Sequence, residues 1–248
     1  MKIKQIVACA AVLVASGVSA PVFAGATGNV GAFSEYMFRG LPQSSGAAVQ
    51  GGLDLSSDSG LYAGVWGSNT SFGGRTEVDL YGGYATKLGD LGLDVGALYY
   101  YYGESQDESS LGGDQSNINT LEFYVGGSYG PLSAKAFYSD KTKFFGVPDS
   151  VTGKFGDGLY LTGTYSIALK ETLNLNLNAG YYTGDAVEDY LGAIGSNDDS
   201  YIDYGVTLAK TLDAGFTATV AVIGTDIEGD DGSDNVKYVI GLKKSFDL

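Results

Sequence analysis

The sequence predicts an all-β protein, a transmembrane antiparallel up-and-down β-barrel of twelve strands with its N- and C-termini on the periplasmic side. Apolar and polar residues alternate with a period of two, which is the signal of a strand with two different faces. Short and long connections alternate strictly between these segments, as they do in transmembrane barrels with an even number of strands. Aromatic residues recur near both ends of the segments, where the two membrane interfaces would lie.

Residues 1–24 predict a signal peptide that is cleaved on export. Lys2 and Lys4 give a positive start, residues 6–20 form an apolar run of mostly small residues, and Pro21 breaks the run. Small residues place the cleavage after Ala24, and cleavage after Ala26 is nearly as good. A retained membrane anchor is the weaker alternative, because a spanning helix needs about 20 apolar residues. Residues 25–248 are then a single barrel domain.

The composition excludes several classes of function. Removing Lys2 and Lys4 from the 14 basic residues leaves 12 against 29 acidic ones, a formal charge of −17 that argues against nucleic acid as a partner. Histidine is absent from the sequence, and the single cysteine, Cys9, lies in the predicted signal peptide. We therefore expect no imidazole-based catalysis, no disulfide and no zinc site, and we predict no catalytic residue, no metal and no cofactor.

The strands follow from the alternation. The clearest is at residues 173–181, where Leu and Asn alternate so that Leu175 and Leu177 share one face and Asn176 lies on the other. The same pattern predicts strands at residues 77–84, 93–101, 120–125, 132–139, 159–167, 202–208 and 216–225. Less regular segments at 30–39, 48–56 and 61–68 and a last one at 236–248 bring the number to twelve. In residues 61–68 the pattern leaves open whether Leu61, Ala63 and Val65 or Tyr62 and Trp66 face lipid.

The connections and the aromatic residues orient the strands. The short connections are predicted at 57–60, 88–91, 130–131, 168–172 and 211–214, and the longer ones at 42–46, 69–75, 103–118, 140–158, 183–200 and 226–235. Aromatic residues expected on the lipid side near the longer connections are Tyr36, Phe38, Tyr101, Tyr138, Tyr181 and Tyr204; those near the short ones are Tyr84, Tyr165, Phe216 and Phe246. Short turns are periplasmic in barrels of this kind, and the longer loops are outside the cell.

The first third of the chain carries a distinctive pattern in residues 34–44 (SEYMFRGLPQS), 60–69 (GLYAGVWGSN) and 77–81 (EVDLY). It resembles the TorF family of candidate porins, also known as the Gcw_chp family of bacterial proteins. The resemblance continues through residues 99–102, 128–134 and 244–246 and spans the mature chain. It implies an outer-membrane barrel and says less about the substrate. One departure is the end of the chain, where Asp247 and Leu248 follow Phe246, since such barrels usually end on an aromatic residue.

The polar faces of the strands are expected to line the lumen. The predicted pore-lining residues are Glu35, Arg39, Glu77, Asp79, Tyr81, Tyr100, Glu122, Tyr124, Lys135, Tyr160, Asn176, Asp203 and Lys237. With Asp54, Asp94 and Lys243 the lumen would carry seven acidic against four basic residues, which indicates a weak cation preference, although these charges could equally serve only to pair and hydrate the lumen. Twelve strands lie between the ~8 that fill their own interior and the ~16 of open porins, so we expect a narrow or partly plugged pore.

These observations predict a porin of the bacterial outer membrane, exported through the periplasm, that allows passive diffusion of small polar solutes or ions and has no enzymatic activity. The alternative is an outer-membrane adhesin, receptor or structural barrel without an open pore, which the long loops permit. The expected partners are outer-membrane lipid and small polar solutes or ions, without nucleic acid. The sequence determines neither the solute nor the oligomeric state.

Overall fold

The computed structural model describes residues 25–71, 75–102, 119–142, 156–228 and 236–248, and the predicted signal peptide lies outside them. Twelve antiparallel strands close into one barrel. They are β1 (Gly25–Phe33), β4 (Ala48–Ser56), β5 (Leu61–Asn69), β6 (Thr76–Leu88), β7 (Leu91–Tyr102), β8 (Thr120–Tyr129), β9 (Leu132–Thr142), β10 (Gly156–Lys170), β11 (Leu173–Thr183), β12 (Ser200–Thr211), β13 (Phe216–Thr225) and β14 (Lys237–Asp247). The remaining strands, β2 (Met37–Phe38) and β3 (Leu41–Pro42), pair only with each other.

Each barrel strand pairs with its neighbours in the sequence, and the first and last strands close the ring. Thr27 of β1 lies opposite Asp247 of β14, and the amide of Leu248 donates a hydrogen bond to the carbonyl oxygen of Ala26 at 2.9 Å. Closure leaves none of the twelve barrel strands with an unpaired edge, which would otherwise expose unsatisfied backbone groups. The prediction of an antiparallel up-and-down barrel of twelve strands is confirmed.

The barrel is apolar outside and polar inside. Exposed outer-face residues include Leu53, Leu80, Val95, Phe123, Leu161, Leu177, Val206, Val220 and Ile240. A continuous apolar belt of this kind is not found on soluble monomers, in which the polar faces of strands meet water. The facing of β5 is now determined: Leu61 is exposed outside, whereas the Tyr62 hydroxyl donates a hydrogen bond to Asp94 inside the barrel.

The prediction for the first strand was wrong beyond Phe33. The predicted strand at 30–39 would have placed Tyr36 and Phe38 on the lipid side, but both side chains are buried inside the barrel. β1 ends at Phe33, and the chain then turns inward to form the β2–β3 hairpin before it returns to the wall at Ala48. The error has a simple cause, because a strand lying inside the lumen shows the same period of two as a strand in the wall.

The two ends of the barrel differ as the sequence predicts. Connections at 57–60, 89–90, 130–131, 171–172 and 212–215 are short, and those at 34–47, 70–75, 103–119, 143–155, 184–199 and 226–236 at the other end are longer. The connection after β11 contains the helix α1 (Asp185–Ala193), which the alternation did not predict. Its Val187 and Leu191 are buried against the interior aromatic residues at this end. Across the described residues, no helix has both the length and the apolar character needed to span a membrane.

Candidate functional site

The β2–β3 hairpin enters the lumen from the end with the longer connections. Its two-residue turn is Arg39–Gly40, with φ angles of 48° and 81°. Two consecutive positive φ angles define the type I′ turn that matches the twist of a hairpin. A Cβ atom on Gly40 would lie 2.5 Å from Thr225 Cγ2 and 2.7 Å from Asp203 Cβ, so the turn lies directly against the wall at β12 and β13.

The base of the hairpin is attached to the wall on two further sides. The Tyr36 hydroxyl donates a hydrogen bond to Glu77 Oε1 at 2.7 Å, and the Tyr36 ring contacts the Trp66 ring at 5.5 Å between centroids. Met37 belongs to an apolar cluster whose other members are Phe33, Ala221, Ile223 and Val239. The hairpin therefore contacts strands on opposite sides of the barrel and crosses the bore between them.

Arg39 at the turn is almost completely enclosed. Its Nη2 atom lies 2.7 Å from Glu122 Oε2, and the two side chains are 2% and 4% exposed. The Tyr100 hydroxyl donates to the same carboxylate oxygen at 3.0 Å, and the Tyr201 hydroxyl donates to the carbonyl oxygen of Arg39 at 3.0 Å. The ion pair thus joins the hairpin to β8, with β7 and β12 supplying the neighbouring hydroxyl groups.

Four aromatic rings surround the guanidinium group. The distances from Arg39 Cζ to the ring centroids are 4.3 Å for Tyr160, 4.6 Å for Tyr182, 4.7 Å for Phe38 and 5.4 Å for Phe137. Each lies within the ~6 Å at which a cation is attracted by an aromatic face. Arg39 is therefore held by one carboxylate and by rings that the three consecutive strands β9, β10 and β11 supply, in addition to its own neighbour Phe38.

The charged form of Arg39 and the protonated form of Tyr36, which their contacts require, are both favoured inside the barrel. Burial by itself lowers the pKa of Arg39, but the adjacent Glu122 carboxylate raises it, so that the pKa lies above its ordinary value and the guanidinium stays charged. Burial, and then the charge of Glu77, raise the pKa of Tyr36 well above its ordinary value, so its hydroxyl remains a donor. Neither group changes its charge near neutral pH.

A second cluster of polar residues lies inside the barrel between β5 and β9. Lys135 Nζ lies 2.7 Å from Asp94 Oδ2 and 4.5 Å from the centroid of the Tyr124 ring. The Tyr62 hydroxyl donates to Asp94 Oδ1 at 2.6 Å and also contacts the Tyr124 hydroxyl. Lys135, like Arg39, is therefore neutralised by a carboxylate.

Two interior carboxylates are not neutralised in this way. Glu77 is 1% exposed and Asp79 is 3% exposed. Glu77 Oε2 and Asp79 Oδ1 have no hydrogen-bond partner among the described residues. The two residues are adjacent inward positions on β6, so they place unmatched acidic oxygen atoms on one part of the wall beside the hairpin.

The predicted pore-lining residues fall into three groups. Those with side chains buried inside the barrel are Arg39, Glu77, Asp79, Tyr100, Glu122, Tyr124, Tyr160 and Asp203; Tyr81, Lys135 and Asn176 are partly buried on inner faces. Glu35, in the connection before β2, and Lys237, at the start of β14, are half-buried and take no part in the contacts described above. The side chain of Tyr81 donates a hydrogen bond to Asp54.

The sequence reasoning missed several interior aromatic residues. They are Tyr36, Phe38, Phe137, Tyr182 and Tyr201, with Trp66 left undecided. For Phe137 and Tyr182 the signal was present, because each directly follows or precedes a residue assigned to the outer face and so must point inward. For Tyr36 and Phe38 it was absent, because only the inward turn of the chain after Phe33 reverses their placement.

The fold is similar to that of small barrels solved as outer-membrane porins. The NanC porin has 15% sequence identity and a TM-score of 0.55, with 90% of this chain and 100% of that chain covered. The KdgM porin has 12% identity and a TM-score of 0.54, with 89% and 99% covered, and a structure of it in complex with disordered oligogalacturonate has a TM-score of 0.55. Likeness at this identity concerns the fold alone.

At the level of sequence, residues 16–246 match the Gcw_chp family, which is described as a bacterial protein of unknown function. The chain belongs to this family, as its resemblance in residues 34–44, 60–69 and 77–81 predicted. No curated protein matches the sequence at a significant level.

Proposed function

We propose that the protein is a porin of the bacterial outer membrane through which small polar solutes diffuse passively, without catalysis. The observation that carries this proposal is the closed barrel of twelve strands with an apolar outer face and a charged, hydroxyl-rich interior. This distribution is the reverse of that in a soluble protein and is what a barrel in lipid requires. The resemblance to the TorF family of candidate porins and the fold shared with the NanC and KdgM porins support it.

The proposal includes export with cleavage after Ala24. Gly25 and Ala26 pair with Ser56 and Leu55 in the β1–β4 ladder. Cleavage after Ala26 would remove both residues from the ladder, so their pairing favours the earlier site. Gly25, where β1 begins, and Leu248 lie at the rim that carries the short turns, which supports a periplasmic location of the termini of the mature chain.

A modest preference for cations is the finer part of the proposal. The basic side chains of Arg39 and Lys135 are each paired with a carboxylate, whereas Glu77 and Asp79 retain oxygen atoms without partners among the described residues. A net negative potential raises the local cation concentration. The effect weakens as the Debye length falls from about 10 Å at 0.1 M salt to about 3 Å at 1 M.

The test is the reversal potential across a planar bilayer under a KCl gradient. We expect cation selectivity that declines with salt and is reduced in the variant Glu77→Gln/Asp79→Asn. The matched control is Asp90→Asn/Glu171→Gln, which removes the same charge from exposed turns and should behave as the wild type. Anion selectivity of the wild type, or equal selectivity of the two variants, would contradict a role for the β6 carboxylates.

The hairpin across the bore is the observation that favours the second candidate, a structural or adhesive barrel without an open pore. Because the hairpin contacts opposite walls, we expect the conductance of the wild type to be small compared with that of an unobstructed barrel. Absence of ion current in the wild type and in variants that loosen the hairpin would reject the porin proposal in favour of this candidate.

A further inference from the structure

The surroundings of Arg39 have the composition of a recognition site for a cation. Phe137, Tyr160 and Tyr182 present ring faces from the barrel wall, and Glu122 supplies a carboxylate. None of these four residues belongs to the hairpin, so the site is built into the wall independently of its present occupant. Aromatic faces combined with a buried carboxylate are the groups with which proteins bind guanidinium and ammonium ions.

We propose that these four wall residues form a binding site for solutes that carry a guanidinium group, and that Arg39 occupies this site as a tethered ligand. We refer to Glu122, Phe137, Tyr160 and Tyr182 as the guanidinium site. A solute that binds there displaces Arg39 and breaks the ion pair that joins the hairpin to β8. Without this ion pair, the turn of the hairpin can move away from β12 and β13, and the bore widens.

The contacts of Arg39 show why a free solute can compete with it. Its Nη1 atom is buried without a hydrogen-bond partner among the described residues, and its ion pair uses a single carboxylate oxygen. Its backbone is held in the left-handed region at φ 48°, which residues other than Gly, Asn and Asp rarely adopt. An untethered guanidinium can rotate to form the two parallel hydrogen bonds that carboxylates prefer. Because a ligand on a short tether has an effective concentration on the order of millimolar, displacement requires solute in at least that range.

The rings favour a guanidinium over a compact ammonium ion. The ring centroids of Phe137, Tyr160 and Tyr182 lie 4.3 to 5.4 Å from Arg39 Cζ, which are distances at which a flat cation contacts an aromatic face. A guanidinium stacks on aromatic faces and is weakly hydrated, whereas an ammonium is a compact, strongly hydrated charge. We therefore expect methylguanidinium to bind more tightly than methylammonium.

The first arm of the test measures binding without transport. In Arg39→Asn the site is emptied while the turn becomes Asn-Gly, which is the most favourable sequence for a type I′ hairpin. The unfolding temperature of this variant in detergent is measured against methylguanidinium, methylammonium and sodium chloride. We expect a saturable rise with methylguanidinium, a smaller one with methylammonium and none with sodium, since only a ligand that prefers the folded state stabilises it.

Two further variants locate the binding. Arg39→Asn/Glu122→Gln should lose at least about tenfold in affinity for methylguanidinium, because the carboxylate is removed. Arg75→Ala removes an exposed arginine and leaves Arg39 in the guanidinium site. The change of its unfolding temperature with methylguanidinium should therefore equal that of the wild type. No saturable effect in Arg39→Asn, or equal affinity with and without Glu122, would overturn the proposal.

The second arm measures the conductance of the wild type and of Arg39→Asn in planar bilayers. The claim that displacement of Arg39 widens the bore rests on the proposed porin function, whereas the claim that the site binds guanidinium does not. Methylguanidinium added on the long-loop side should raise the conductance of the wild type. We expect Arg39→Asn to conduct more than the wild type without solute, and methylguanidinium should lower the conductance of this variant. An unchanged wild-type conductance would overturn displacement of the hairpin. Saturable binding with no current in either protein would reject the porin and leave the guanidinium site in place.

Discussion

Gly40 is the residue on which the position of the hairpin depends most directly. Its φ angle of 81° lies in the left-handed region, and its missing side chain lets the backbone lie against β12 and β13. Any other residue would both strain the turn and press it away from Thr225 and Asp203. In this position of the turn, the neighbouring Arg39 forms its ion pair with Glu122.

We predict that Gly40→Ala lowers the free energy of unfolding by at least about 1–2 kcal/mol, the cost of the left-handed conformation for a residue with a Cβ atom. The contact of the new Cβ with Thr225 Cγ2, 2.5 Å away, adds to this cost. Equilibrium urea titration of the refolded protein in detergent measures the effect. Gly46→Ala is the matched control, since a Cβ there meets no atom within 4 Å, and it should change stability by less than about 0.5 kcal/mol. Equal effects would mean that the turn is not fixed at the wall.

The Arg39–Glu122 pair gives a second prediction at this scale. Breaking a buried ion pair by removing one partner usually costs about 3–5 kcal/mol, because the other charge is left uncompensated. We therefore expect Glu122→Gln to lower the free energy of unfolding in this range. Adding Arg39→Asn should recover part of the loss, since no buried charge then remains at the site. Urea titrations of the two single variants and the double variant provide the comparison, and strictly additive effects would show that the pair does not interact.

At the scale of elements, each barrel strand separates an apolar outer surface from an inner surface that meets the bore. In β11, Leu177 lies between Tyr165 of β10 and Val206 of β12, and all three are exposed on the outer face. Asn176 is half-buried on the opposite face, beside Ser166 and Thr207. The two neighbours are therefore in different environments although one peptide bond separates them.

We predict that Leu177→Arg, near the middle of β11, costs about 2–4 kcal/mol in lipid, the range measured for Arg at the bilayer midplane of a barrel. Asn176→Arg, which places the same charge in the bore, should be tolerated. Denaturant titration in lipid vesicles measures both variants. A similar loss of stability in the two would mean that the outer face of β11 does not contact lipid.

Most of the barrel could be predicted because the alternation that defines each strand lies within a short segment of the sequence. The period of two in segments such as residues 173–181 fixes which face of a strand is apolar, whatever the strand pairs with. The order of short and long connections then fixes the antiparallel arrangement. The helix α1 could also have been found, since Val187, Leu191 and Ile194 recur at helical spacing and Asp185 begins the first turn.

The hairpin and the guanidinium site could not be predicted, because they depend on contacts between distant parts of the chain. Arg39 and Glu122 are separated by 83 residues, and Tyr201 by 162 residues from the carbonyl group that it binds. Nothing in residues 34–42 distinguishes a strand in the wall from one folded into the lumen, because both alternate. The alternation thus predicts the inward face of a wall strand, whereas it gives no information on the partners of these residues across the bore.

At the scale of the whole molecule, the closed hydrogen-bonded ring predicts a characteristic behaviour on gels. We expect the protein to fractionate with outer membranes, with residues 1–24 removed as judged by the mass of the mature chain. A folded barrel is compact, so the unboiled protein should migrate faster than the boiled one. A soluble periplasmic protein without this difference would contradict the membrane location.

The seam of the barrel and the base of the hairpin use the same strands. Asn29 pairs with Ser245 across the seam, and Ile240 donates a backbone hydrogen bond to the side chain of Ser34, 206 residues earlier in the chain. Closing the long loop between residues so far apart costs more entropy than closing a local hairpin, so we expect these contacts to form after the hairpins of the wall. We therefore expect the pairing of β14 with β1 to close the ring and to fix the hairpin at the same time. Until β14 pairs, the ring stays open and Ser34 at the base of the hairpin lacks its hydrogen bond from Ile240.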